Sequence, residues 1–408
     1  MDLSQFLNGL RDPSGLPFYP IVFQFLMVLT FSVHIIAINI VVGGLFVAVW
    51  EAWNGGPFGK RLACALGKVS TIALSLGIVF GVAPLLFVQV IYDPFWYASN
   101  TMSAIWTMIF LVLVCIAFYS SYGFYLGNKK NGEDGNLKLF WAYVGVVSIV
   151  LSGLIIHMLS MEALLPEQWF KWLVEADGSL LTGGARFHGV SPGRISHYLF
   201  ASFAVTGVFL MLYSWYFSPR KDIDEGYLDY VAKKGINLAL YGTLFSVGAG
   251  FWWAGEVPSS LEFLKNPIFL LSVIGAVILM LYLAKASIKP VKHSILVAII
   301  MSIIIFIMSY AREILRIKYV GAFDYSIFSY KLNISWGSTA LFFGTFIMGL
   351  AVLYFPIVAA FKAGRAEQGT VVTISPKIGN FANLVLIAWI VIVAALGIFI
   401  SIKNGTLF

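Results

Sequence analysis

Histidines interrupt a chain that is otherwise strongly apolar. His34, His157 and His197 lie in or at the edge of long apolar segments. Ionisable side chains in such segments are costly to bury and usually functional. A neutral imidazole is a good axial ligand for haem iron, and a b-type haem needs no covalent attachment motif. The three histidines are therefore predicted metal ligands, and haem b is the predicted cofactor.

The sequence around these histidines suits a large, flat ligand. A Gly-Gly pair begins nine residues after His34, and alanines follow His197 at helical spacing. Small residues would let a porphyrin lie against the helix backbone. Met161 lies four residues after His157 and offers a thioether as a further ligand.

Two arginines would supply positive charge near the same cofactor. Arg312 and Arg316 are one helical turn apart and would bind haem propionates as charge-assisted pairs. Plainer roles remain open for all these residues. A membrane histidine often bonds a neighbouring helix, and an arginine near a helix end often anchors at the interface. His188, in a polar loop, and His293, at an inner boundary, are not predicted ligands.

The elements that would position these residues are membrane-spanning helices. Apolar residues make up 60% of the 408 and charged residues only 11%, against roughly 25% charged in soluble domains. A spanning helix needs about 20 apolar residues. We expect an all-α polytopic bundle in a single domain, 1–408, with an outer loop at 165–195 and a short interfacial helix within 1–18. The predicted spans are 21–50, 65–91, 102–126, 138–164, 196–217, 236–255, 267–286, 293–311, 336–361 and 381–402.

The distribution of Lys and Arg predicts the orientation. Of the 26 basic residues, sixteen fall in the loops after the odd-numbered spans and ten on the opposite side. The positive-inside rule then places both termini outside. The net charge of +7 reflects these inner loops, so nucleic-acid binding is not expected.

Several function classes lack their motifs. The chain has two cysteines, Cys64 and Cys115, on separate spans, and no CxxC or CxxCH. A disulfide, a covalent c-type haem and a zinc or iron–sulfur site are therefore not predicted. A Walker loop and a GxGxxG segment are also missing, which excludes the common nucleotide-binding patterns.

Four segments together resemble subunit I of the cytochrome bd quinol oxidases. The first span, FQFLMVLTFSVHIIAINIVVGGLFVAVWEAW, repeats that family's nine-residue spacing from a haem-ligating histidine to a glycine, here His34 to Gly43, and ends in Glu51. FGVAPLLFVQVIYDPFWYAS is similar to the stretch between the family's helices 2 and 3. HYLFASFAVTGVFLMLYSWYF is similar to the helix that opens with a haem-b histidine, here His197. IMSYAREILRIKYVG resembles the exit of helix 8.

The resemblance covers most of spans 1–9 and implies a function. It implies a haem-b-binding subunit of a respiratory electron-transfer complex in a prokaryotic inner (cytoplasmic) membrane. Such a subunit would pass electrons at the outer face between the haems and a redox partner. The implied partners are a cytochrome c or a second integral subunit, with surrounding lipid, and quinone is a further candidate ligand. His34 and His197 rank first as haem ligands and His157 next.

The sequence also departs from the family. The connection at 257–266 is only about ten residues long, the third span has no Glu, and the seventh span offers only Met280 as a thioether. Oxygen reduction, and quinol oxidation at the family's usual loop, are therefore not implied. A terminal oxygen reductase and a non-redox transporter or membrane anchor stay as alternatives. The outer loop 166–194 is expected to cover the haem region and to contact a partner subunit.

Overall fold

A computed structural model describes residues 3–129, 137–175 and 178–406 of the chain. Its α-helices are α1 Leu3–Gly9, α2 Pro20–Asn54, α3 Gly56–Ile91, α4 Asp93–Met102, α5 Ala104–Asn128, α6 Phe140–Glu162, α7 Trp169–Leu173, α8 Pro192–Phe217, α9 Glu225–Glu256, α10 Pro267–Ala286, α11 Pro290–Gly321, α12 Trp336–Arg365 and α13 Pro376–Lys403. Short 3-10 turns occur at Pro166–Gln168, Ser259–Leu261, Phe263–Lys265 and Ile327–Ser329.

Within the described residues, nine helices are long and apolar enough to cross a membrane: α2, α3, α5, α6, α8, α10, α11, α12 and α13. No strand forms in the same part of the chain. In hydrocarbon, a helix satisfies all its backbone hydrogen bonds internally. The predicted all-α polytopic membrane fold is therefore confirmed.

The remaining predicted span, 236–255, lies in α9, which is more polar because it is rich in glycine, tryptophan and tyrosine. This helix nevertheless runs the full length of α8. At its start, Tyr230 donates a hydrogen bond to Glu51 at the end of α2. At its other end, Glu256 accepts hydrogen bonds from Ser191 and from the Gly193 amide at the start of α8. It therefore traverses the bundle beside the nine more apolar helices.

Two helix boundaries differ from the prediction in a way that matters for the site. The third helix, α3, begins at Gly56 rather than 65, and α11 continues to Gly321 rather than ending at 311. Arg312 and Arg316 therefore lie inside a continuous helix, which fixes their side chains on adjacent turns. The segment after α3, which was not predicted as a helix, forms α4.

Among the described residues, α8 and α9 form the most extensive helix–helix contact, and glycines bring their backbones close together. Gly207 faces the backbone of Ala239, where an added Cβ would lie 2.3 Å from the amide nitrogen. Gly242 faces Ala204 in the same way, with 2.5 Å to the amide nitrogen. Small residues at such crossings let two backbones approach closely. This seam sets the position of His197 relative to α9.

One end of the bundle, here called the Asp93 end, gathers α1, α4 and the segments that follow α6 and α11. Asp93 accepts hydrogen bonds from the Asp12 amide, at 2.8 Å, and from the Tyr330 hydroxyl. Arg11 lies over the Tyr325 ring, 4.3 Å from its centroid. Trp169 of α7 packs into the same buried cluster. Segments predicted to share one side of the membrane therefore do lie together.

Candidate functional site

The ring of His197 is held by the neighbouring helix. Its Nδ1 lies 2.9 Å from the carbonyl oxygen of Ser246 on α9. A carbonyl can only accept, so Nδ1 must carry the proton and Nε2 keeps its lone pair. No hydrogen bond within the described chain occupies Nε2. This is the tautomer that an imidazole needs to bind a metal through Nε2.

His197 opens onto a half-open cavity of the bundle, whose empty space, counted out to its open side, is about 900 Å³. Five helices and the short 3-10 turn Phe263–Lys265 line it, with Phe31, Ile35, Asn39, His197, Tyr198, Ala201, Ser246, Val247, Gly250, Phe251, Trp253, Phe263, Phe269, Ser272, Val273, Ala276, Ile305, Met308, Ser309, Ala311 and Arg312. The lining is mostly apolar with a few polar groups, as in most cofactor sites. A Cβ at Gly250 would lie 3.2 Å from His197 Nδ1, so the glycine leaves room beside the ring.

Arg312 brings an unneutralised cation to the same cavity. Its guanidinium lies 4.4 Å from the centroid of the Phe31 ring. Its Nε is buried without a hydrogen-bond partner, and no carboxylate within the described chain pairs with it. The cavity therefore has an imidazole lone pair and a free positive charge on its walls.

Two further arginines line an adjoining pocket of about 360 Å³, which shares Trp253 and Arg312 with the cavity. Arg194 is buried, donates to Ser160 Oγ at 2.9 Å, and leaves its Nε without a partner. Arg316 is paired with Glu313 at 2.9 Å. Of the three guanidiniums, only that of Arg316 has a carboxylate partner in the described residues.

His34 has the same hydrogen-bond pattern as His197 but faces another helix. Its Nδ1 lies 2.7 Å from the carbonyl oxygen of Gly77 on α3, so its Nε2 lone pair is also free. A Cβ at Gly81 would lie 2.7 Å from the ring, so glycine is required at this contact. His34 does not line the cavity, although the Phe31 ring that lines it is 6.2 Å from the His34 ring. The structure thus separates two predicted ligands that the sequence treated together.

His157 is used differently. Its Nε2 accepts a hydrogen bond from the Ser191 amide at 3.0 Å, and its Nδ1 is buried without a partner. His34 and His197 each place Nδ1 against a backbone carbonyl oxygen, whereas neither ring nitrogen of His157 contacts a carbonyl or an acid in the described residues. The chain that leads into α8 brings the Ser191 amide to the His157 ring. This hydrogen bond uses the Nε2 lone pair that a metal would need. The Met161 sulfur, considered as a further ligand beside His157, accepts a hydrogen bond from Arg194 Nη1 at 3.1 Å.

The long connection between α6 and α8 lies beside His157. His188 Nδ1 is 2.9 Å from Glu162, and the imidazole stacks on Trp172 with ring centroids 5.0 Å apart. Ser191, at the start of α8, donates a hydrogen bond to Glu256 at the end of α9. The connection therefore closes over the end of α6 and fixes the entry of the helix that carries His197.

Two site residues were missed by sequence reasoning. Met308 lines the cavity with His197, whereas attention to the seventh span had singled out Met280, which does not line it. Arg194 is the second unneutralised cation. Both had a signal in the sequence, because Met308 lies four residues before Arg312 and Arg194 three before His197, spacings that place side chains on one helix face.

No protein-family model matches the chain, and no curated protein matches it.

The donor set restricts what the site can bind. Within residues 3–129, 137–175 and 178–406, no three His, Cys, Asp or Glu side chains are close enough to hold a metal ion. A metal at His197 would therefore need most of its ligands from a prosthetic group. A porphyrin supplies four nitrogens and leaves axial positions for protein side chains.

Proposed function

We propose that the protein is a haem-b-binding electron-transfer subunit of a respiratory membrane complex, distantly related to subunit I of cytochrome bd oxidases. One observation carries the proposal. His197 presents a free Nε2 lone pair to a half-open cavity that also contains the unpaired guanidinium of Arg312. A b-type haem needs an imidazole, a flat apolar slot and cations for its propionates.

The residues present fit such a group. Bound haem b would supply reversible one-electron transfer at its iron. Ala201, Gly250 and Ala276 keep parts of the cavity wall close to the helix backbones. Met308 offers a thioether as a second candidate ligand.

The residues around His197 would favour the binding of haem iron by its imidazole. The Ser246 carbonyl holds the proton on Nδ1, which orients the ring and makes Nε2 a better donor. Arg312, with Arg194 in the adjoining pocket, would pair with two carboxylates. Because Arg316 is already neutralised by Glu313, Arg194 replaces it in the predicted propionate site.

His34 is the candidate ligand of a further haem. It has the same free Nε2, and it is the residue on which the resemblance to cytochrome bd subunit I rests most. With both termini outside, the Asp93 end would face the periplasm of a prokaryotic cytoplasmic membrane. Electrons would then exchange at that end with a cytochrome c or a second integral subunit, and quinone remains a candidate partner.

The test is the haem content of the purified protein. We expect a pyridine haemochrome signal from the wild type and a lost or shifted haem band in His197→Ala. The matched control is His293→Ala, because His293 bonds Tyr282 at 2.8 Å and belongs to neither the cavity nor the His34 contact. Wild-type protein without haem, or equal spectra for both variants, would overturn the assignment.

The same preparation separates the alternative functions. A transporter or membrane anchor would contain no haem. A terminal oxygen reductase would consume oxygen with an artificial donor, whereas an electron-transfer subunit would be reduced without consuming it. The absence of Glu from α5 supports the second outcome.

A further inference from the structure

The α12–α13 pair lies beside the bundle without being enclosed by it. No residue of α12 is buried, and in α13 only Ala382 is. A Cβ added at Gly344 or Gly349 would meet nothing within 4 Å. Closely packed membrane helices place such small residues against a neighbour. The middle of α12 therefore has open space around it.

Hydrogen bonds and ring contacts join α12 to the bundle at its two ends. Near its start, Trp336 and Phe343 lie 5.6 and 6.5 Å from the Phe18 ring. Near its end, the Tyr216 hydroxyl of α8 donates to the Phe361 carbonyl at 3.0 Å. The helix between these contacts is about 25 Å long at 1.5 Å per residue, close to the hydrocarbon thickness of about 30 Å. Between these two levels no hydrogen bond or ring contact in the described residues joins α12 to the bundle, and we call this open side of α12, facing α8, the lateral cleft.

A cation without a carboxylate marks one end of this cleft. The Arg365 guanidinium lies 4.5 Å from the Trp215 ring centroid and 5.6 Å from that of Phe361. Its one hydrogen bond in the described chain is a long contact of 3.5 Å to the Trp215 carbonyl. Lys362, one turn earlier, is exposed. Tryptophan and tyrosine beside arginine and lysine are typical of the headgroup level of a membrane.

The surroundings of Arg365 are positively charged overall. The α8–α9 connection, 218–224, and residues 361–377 together contain five Lys or Arg and three acids. One of the acids, Asp222, already forms an ion pair with Arg220 at 2.5 Å and accepts a hydrogen bond from the Gln368 amide at 3.1 Å. The end of the cleft therefore offers charge for an anionic group.

We propose that the cleft between α12 and α8 binds an anionic phospholipid. Its phosphate contacts Arg365 and Lys362, and its acyl chains fill the open side of α12. An amphiphile matches the length of the cleft, its apolar walls and its single cationic end. A uniformly apolar helix in the same place would leave Arg365 without a counter-charge. A second copy of the chain, or a helix of another subunit, is the competing occupant.

Native mass spectrometry with added lipid tests this proposal. Phosphatidylglycerol and phosphatidylcholine with identical acyl chains are titrated against the purified protein. Phosphatidylglycerol should bind at least tenfold more tightly. Each basic side chain near the headgroup contributes about fivefold, so Lys362→Ala/Arg365→Ala should bind it about thirtyfold more weakly. The control Lys285→Ala/Lys289→Ala removes the same charge from another connection and should change binding less than threefold.

Lys362→Ala alone is the control for misfolding, because Lys362 is exposed and no hydrogen bond or ion pair of its side chain is found in the described chain. It should weaken binding about fivefold and leave thermal unfolding in detergent unchanged. Equal binding of the two lipids, or equal effects of the two double variants, would overturn the proposal. So would a dimer, or a complex with another subunit, that excludes lipid from the cleft.

Discussion

Substituting Gly242 by alanine tests how the α8–α9 seam positions His197. A Cβ at this glycine would lie 2.5 Å from the amide nitrogen of Ala204 and 2.9 Å from its Cα. Both are backbone atoms, so no rotamer change can relieve the contact. Ordinary contacts begin at 3.4 Å, so the two helices must separate by about 0.9 Å.

The cost follows from two opposing terms. Overpacking of a close contact costs about 1–3 kcal/mol, and replacing glycine by alanine within a helix recovers about 1 kcal/mol. The control is Gly248→Ala on the same helix, where a Cβ meets nothing within 4 Å. That change should only stabilise, so the two variants should differ by about 1–3 kcal/mol. Thermal unfolding in detergent should separate them by about 1–4 °C.

The same displacement reaches the site. Ser246 is one turn beyond Gly242, and its carbonyl lies 2.9 Å from His197 Nδ1. If the full opening of about 0.9 Å were transmitted, this distance would become about 3.8 Å, too long for a hydrogen bond. If haem is bound as proposed, Gly242→Ala should therefore also shift its spectrum, whereas Gly248→Ala should not. Equal melting temperatures and identical spectra for the two variants would refute this account of the seam.

Two further predictions concern buried carboxylates near the Asp93 end. Glu313 accepts hydrogen bonds from Tyr92 at 2.5 Å and from Gln24 at 3.2 Å, and it pairs with Arg316. Glu313→Ala should therefore lower the free energy of unfolding by about 3–5 kcal/mol. Glu313→Gln keeps a hydrogen-bond acceptor, so a melting temperature equal to that of the wild type would contradict a role for the charge. Burial raises the pKa of the Asp93 carboxyl above its ordinary 3.8, so its contribution to stability is complete below 3.8 and is lost as pH rises through the raised value. Thermal unfolding between pH 3.5 and 7 should show this loss in the wild type but not in Asp93→Asn, and parallel profiles would count against it.

The fold was largely predictable because length and apolar content decide whether a helix can cross a membrane. The weakest of these signals was 236–255, because glycine and aromatic residues lower the hydropathy of α9 although the helix is complete. Helix ends were harder to place. Charged residues end an apolar run in the sequence, yet α11 continues through Arg312 and Arg316 because Glu313 and neighbouring rings accommodate them.

The residue types of the candidate site could be chosen from the sequence, whereas their arrangement could not. His34 and His197 were recognisable as ionisable groups in apolar spans. Hydropathy does not indicate, however, which neighbouring helix each helix face contacts. Packing turns His34 toward Gly77 and His197 toward Ser246. The role of His157 depended on the path of a long connection, which brings the Ser191 amide to its ring. No local pattern encodes such a contact.

The unpaired arginines distinguish between the two cofactors considered for this cavity. Burying a cation without a counter-charge is unfavourable, and Arg312 and Arg194 both keep a buried Nε without a partner in the described chain. The nearby carboxylates are already used, since Glu313 pairs with Arg316 and Glu256 binds the start of α8. A quinone carries no fixed negative charge and would leave both guanidiniums uncompensated. Under the proposed function, two haem propionates would compensate Arg312 in the cavity and Arg194 in the adjoining pocket, so the charge pattern supports that proposal over a quinone.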